Sequence, residues 1–172
     1  PMFCQALALR EKVLGKEHPA TLMSMNNLAL LLKYQGKYNE AEPMHRQALV
    51  LCGKVLGKEH PDTLKSMNNL AGLLESQGKY DEAEPMFRQA LAPYEKVLGK
   101  EHPETLNILY GLANVLEKQN NLEEAEVLFR RELAGCEIRF GDSHSQTIQS
   151  LENFAIFLEK IRKNEEAGAV RQ

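Results

Sequence analysis

No tryptophan occurs in the 172 residues, and glycine and proline number only 11 and 7. With 43% hydrophobic and 26% charged residues, that composition excludes a collagen, a low-complexity tail and a disordered acidic segment, so a folded chain is expected. Neither sign of charge is in large excess: 21 Lys plus Arg face 24 Asp plus Glu, a net charge of -3. A nucleic-acid-binding arm or a polybasic membrane anchor needs a concentrated positive field, and neither is expected here. Long apolar runs are missing too. The longest, such as Leu28 to Leu32 and Phe154 to Leu158, have five residues each, against the ~20 that cross a bilayer. Cysteine is scarce: Cys4, Cys52 and Cys136 form no CxxC pair, and their odd count argues against a disulfide framework and for a reducing, cytoplasmic setting. The opening Pro1-Met2-Phe3-Cys4-Gln5 lacks the charged region, apolar core and cleavage site of a signal peptide.

What the chain does have is self-similarity. Val13-Leu14-Gly15-Lys16-Glu17-His18-Pro19 returns as Val55 to Pro61 and again as Val97 to Pro103, a period of 42 residues. Residues 18–59 and 60–101 agree at 31 of 42 positions, and 60–101 and 102–143 at 18. A divergent fourth copy starts at His144, and residues 1–17 align with the back half of a preceding copy. The expected organisation is one array over 1–172: a second helix at 1–17, repeats at 18–59, 60–101 and 102–143, and a partial repeat at 144–172. It reads as an excerpt from a longer series.

Each copy spells two helices. In the first, Pro19, Pro61 and Pro103 suit the opening turn, where a missing N–H costs nothing. Leu22, Met25, Leu28, Ala29 and Leu32 then keep helical spacing until Gln35-Gly36-Lys37 breaks it. The second helix should run from about Tyr38 to Leu56, with Ala41, Met44, His45, Ala48, Leu49, Cys52, Val55 and Leu56 on one stripe and Gly57 as its stop. Pro43 and Pro85 lie one turn inside that helix and should bend it or remove a hydrogen bond; Val127 in the third copy should not. Such a pair cannot bury its stripe alone, so the next pair must cover it. The expected fold is therefore all-α, a right-handed α-solenoid (superhelix) of antiparallel helix pairs.

Asn27-Leu28-Ala29, Leu32, Gly36, Tyr38, Ala41 and Ala48 match the small and large positions of the tetratricopeptide repeat. The 42-residue unit, with Lys-Val-Leu-Gly-Lys-Glu-His-Pro between repeats and Gly-Lys-Tyr-x-Glu-Ala-Glu-Pro between helices, resembles the kinesin light chain type. It is also similar to arrays that follow a nucleotide-binding module in receptor-like proteins. Departures are local. Asn120-Asn121-Leu122 replaces Gly-Lys-Tyr, Ser145 replaces the proline, Arg162-Lys163 stands at the last turn, and Glu132 replaces the small Ala48 and Ala90. A carboxylate at a close-packed position is costly unless paired, so the junction between the third and fourth copies should be looser or differently satisfied.

The resemblance implies a concave groove lined by the first helices. Its positions are Met23, Asn26, Leu30, Lys33 and Tyr34 in the first copy, and Lys65, Asn68, Gly72, Glu75 and Ser76 in the second. The third copy supplies Asn107, Tyr110, Asn114, Glu117 and Lys118, and the fourth Gln149, Glu152, Ile156, Glu159 and Lys160. Four of the 11 differences between copies one and two fall on the five groove positions, as expected if neighbouring repeats read different parts of one extended ligand. The amides of Asn26, Asn68 and Asn114 could donate to and accept from a peptide backbone. Charge should run from basic at Lys33 and Lys65 to acidic at Glu75, Glu117, Glu152 and Glu159. No first helix of copies one to three contains Arg, so the carboxylate-clamping members of the family are a poor match.

Catalytic and metal constellations fail on geometry. His18, His60, His102 and His144 recur every 42 residues, but stacked helices stand ~8–10 Å apart and zinc ligands must converge to ~2.1 Å. These histidines are expected to cap or pack at the turns. His45, where Phe87 and Phe129 stand, is expected as a packed ring, and Cys52 and Cys136 as buried thiols. Asp142-Ser143-His144-Ser145 has triad residue types without triad geometry. No phosphate-cradling loop, HExxH or dinucleotide fingerprint occurs. The expectation is a non-enzymatic interaction scaffold without cofactor or metal, binding a peptide or partner segment. A second expectation is a self-associating array, stacking end to end, in a larger receptor-like protein.

Overall fold

The computed structural model describes residues 2–161. All regular structure among them is helical: α1 (Met2–Leu14), α2 (Pro19–Tyr34), α3 (Tyr38–Val55), α4 (Pro61–Ser76), α5 (Tyr80–Leu98), α6 (Pro103–Lys118), α7 (Leu122–Phe140) and α8 (Ser145–Lys160). The chain forms two compact units, Pro1–Met86 and Phe87–Gln172, with the division inside α5. In the first unit α1 packs on α2, α2 on α3, α3 on α4, and α2 also touches α4. In the second, α6 packs on α7 and α7 on α8. Arg162-Lys163, expected at a turn, lies outside the described residues.

The histidines are the N-caps of α2, α4, α6 and α8. His18, His60, His102 and His144 hold extended backbone, and each Nδ1 accepts from the backbone N–H two residues on at 3.2 Å. Accepting at Nδ1 puts the ring proton on Nε2. One of the four unpaired donors of the helix start is thereby satisfied, and proline at the next position removes another in α2, α4 and α6.

The same helices end in one motif. The Lys37, Lys79 and Asn121 N–H groups donate to Leu32, Leu74 and Leu116 carbonyls at 2.9 Å, six residues back to one, around a residue in the left-handed region. That residue is Gly36 (φ 74) or Gly78 (φ 76), and in the divergent copy Asn120 (φ 63). Asparagine is among the few residues with a side chain that enter this region readily, so the loss of Gly-Lys-Tyr leaves the turn intact.

Short turns reverse the chain, and small residues let paired helices close up: Ala41, Ala48 and Ala125 are fully buried. Gly111 serves the same end. A Cβ there would meet the Phe87 ring at 2.6 Å. Helices α3 and α5 continue through Pro43 and Pro85, and each proline removes one N–H from the ladder.

Ion pairs tie consecutive second helices together. Arg46 donates to Glu42 one turn before it and to Glu82 of α5 at 2.6 Å. Arg88 grips Glu124 of α7 with two bonds of 2.6 and 2.8 Å, and Arg131 reaches Glu95. The Lys79 ammonium, then Arg46, holds the Glu42 carboxyl down to about 2. Pairs one helical turn apart form at Glu42–Arg46 and Glu126–Arg130, and the inter-helix partners stand 36 residues away in the chain.

Candidate binding site

The first-helix positions singled out above fall into three depths. Met23, Tyr34, Lys65 and Asn107 are exposed, with Tyr34 at 77%. Leu30, Lys33, Glu75, Tyr110, Asn114 and Glu117 are half-buried, and Asn26 and Asn68 are buried. Their charges are partly met within each unit. Burial pulls the Lys33 ammonium below its ordinary range while Glu75 beside it acts in the opposite sense, and Glu117 accepts from Lys160 at 2.8 Å.

Each unit carries a cavity on this face, and these two occupy the same place in the repeat. The first, of about 130 Å³, is lined by Leu22, Met23, Asn26, Cys52, Leu56 and Lys65, among others. The second, of about 200 Å³, is lined by Leu106, Asn107, Tyr110, Cys136, Phe140 and Gln149. Position for position these six pairs lie two 42-residue periods apart. Both cavities sit where a first helix, the end of the following second helix and the next first helix meet.

Beneath the cavities the polar chemistry differs. In the first unit Asn26 is committed inside the protein: Nδ2 donates to Ser66 Oγ at 2.5 Å, and Oδ1 faces His45 Nδ1 at 3.3 Å. Ser66 donates in turn to the Asp62 carbonyl at 2.9 Å. His45 is fully buried, its Nε2 has no partner among the described residues, and burial, with Lys33 adding to it, lowers its imidazole to about 4. Asn68 Oδ1 also lacks a partner among the described residues.

In the second unit Tyr110 and Phe129 stand where Asn26 and His45 do, and they meet edge to face with centroids 6.0 Å apart. Phe129 also packs on Phe157 at 4.9 Å. Glu132 stays buried, accepting from Ser150 Oγ on one oxygen and from Cys136 Sγ, 3.2 Å away, on the other. The junction is thus differently satisfied, one of the two outcomes expected from the sequence. Desolvation raises the Glu132 carboxyl, and burial followed by the Glu132 charge pushes the Cys136 thiol up to about 12. The Glu132–Ser150 contact had a signal that went unused: the Ala-to-Glu exchange coincides with Asn-to-Tyr at the helix position that served Ser66.

A profile described as tetratricopeptide repeat matches residues 2–52, 30–96 and 77–138. The chain belongs to the tetratricopeptide repeat family. Solved structures agree with its all-α helix-pair solenoid class. A Podosopora anserina protein described as a kinesin light chain with nearly identical TPR-like repeats is similar at 27% identity and TM-score 0.81, over 98% of this chain and 80% of that one. A singly substituted form of that protein gives 27% and 0.84, over 98% and 79%. BtubC (BKLC) from P. vanneervenii, at 20% identity and TM-score 0.82 over 98% and 67%, shares the fold. No curated protein matches significantly in sequence. The chain is thus a tetratricopeptide scaffold of kinesin light chain-like repeats, of a kind consistent with protein–protein interaction. No helix among the described residues is long and apolar enough to cross a membrane.

Proposed function

We infer that this chain is a non-catalytic interaction module whose first-helix face binds an extended peptide or partner segment, with one seat in each unit. The pair of cavities at equivalent repeat positions carries the reading. Each unit thus offers a ligand the same kind of recess. Side chains around each recess differ, Met23 and Lys65 in one and Asn107 and Gln149 in the other, which gives each seat its own selectivity. The apolar lining with a few polar groups suits anchoring side chains. A cytoplasmic location goes with this reading, supported by three free cysteines, two of them buried thiols.

Selection of peptides from a random library against the folded chain tests it. Tyr34→Ala with Lys65→Glu should weaken a selected peptide about tenfold while leaving helicity and melting unchanged. Undiminished binding by that variant would place recognition elsewhere. End-to-end self-association, supported by the exposed Leu9 and Val13 of α1, predicts instead sedimentation that depends on concentration.

A further inference from the structure

The larger cavity holds a feature that peptide binding in general does not require. Glu132 lines it, is only 7% exposed, and is bonded to two neutral groups, Ser150 Oγ and Cys136 Sγ. No lysine, arginine or histidine is among the residues lining the cavity. A buried carboxylate without a counter-charge is costly, and two neutral donors leave lone pairs free on its oxygens. Nor has the longer side chain filled the space. Where Ala48 stands the equivalent cavity is about 130 Å³, and with Glu132 it is about 200 Å³. The walls complete the chemistry. Leu106 and Pro103 can cover an alkyl stem, and Tyr110 and Phe140 add aromatic lining.

We propose that the cavity between α6, α7 and α8 is a subsite for one basic side chain, lysine or arginine, of the ligand peptide, with the Glu132 carboxylate as its counter-charge. The identification of the occupant as part of a peptide rests on the function inferred above; the preference for a cation rests on the cavity alone. The equivalent cavity in the first unit has Ala48 at this position, and its lining holds Lys65 to offset Asp62, so it should not share the preference.

The two claims separate experimentally. The blocked amino acids N-acetyl-lysine methylamide, N-acetyl-arginine methylamide and N-acetyl-norleucine methylamide are titrated into the isotope-labelled chain, and shifts of Leu106, Phe140 and Gln149 are followed. The lysine or arginine probe should bind about tenfold tighter than the norleucine probe. Glu132→Gln should remove that difference. Glu132→Ala, which copies the residue of the sibling repeats, should do the same and controls for folding by its circular dichroism. Equal affinity for charged and neutral probes, or a difference that survives in both folded variants, overturns the subsite. Failure of selected peptides to bind the first-helix face overturns the broader reading and leaves the cation result standing.

Discussion

The two units answer the same packing question in opposite ways. At the paired positions 26 and 45, the first unit places Asn26 and His45 in hydrogen-bond contact, whereas at 110 and 129 the second places Tyr110 and Phe129 edge to face. The serine common to both follows. Ser66 is served from α2 by Asn26, and Ser150 turns to α7 and donates to Glu132. Where the amide on the first helix gives way to an aromatic ring, the polar partner stands on the second helix. A repeat junction therefore tolerates exchange of its hydrogen-bonding group between helices provided the serine keeps one partner.

The largest test of this contrast removes the aromatic centre of the second unit. Phe129 is 2% exposed and touches three other rings, so Phe129→Ala should cost about 3–5 kcal/mol, measured by urea unfolding. The first unit loses less when its network is cut. Asn26→Ala removes the donor to Ser66 Oγ and the partner of the His45 ring and should cost about 1–3 kcal/mol. Grafting the other solution, Asn26→Tyr with His45→Phe, should recover part of the loss, and a double-mutant cycle reads the coupling.

Acid should act on the units unequally. His45 is held at about 4 when folded against an ordinary 6.5, so between those values the unfolded chain binds a proton that the folded chain refuses. The stability this contributes is present above 6.5 and is lost as pH falls toward 4. Between pH 7 and pH 5 the loss from His45 is about 1–2 kcal/mol, and His45→Phe should abolish that part of the pH dependence. Smallest is the turn before α7. Asn120→Gly relieves a left-handed residue with a side chain (φ 63) and should stabilise by up to about 1 kcal/mol, whereas Asn120→Val should destabilise.

Local rules were easy to read because they depend on neighbours in the chain. His-Pro announced three helix starts and His144 a fourth, Gly36 and Gly78 announced turns, and the 42-residue period announced the pairing of helices. The candidate face was readable only in outline. Whether residue 26 looks outward or inward depends on the residue 40 positions later that accepts its amide, and Asn26 finds Ser66 there. Glu132 could be flagged as expensive from its Ala siblings, but its acceptance from Ser150 and Cys136, and the cavity beside it, depend on three helices meeting.

Recognition is proposed to occupy the same recess of the repeat in both units. A selected peptide bound to the labelled chain tests it through chemical shifts mapped residue by residue. Perturbation is expected around Met23 and Lys65 in one unit and Asn107 and Gln149 in the other, with Val50, Val127 and Ile138 of the second helices unmoved. Perturbation confined to those second-helix residues would contradict it.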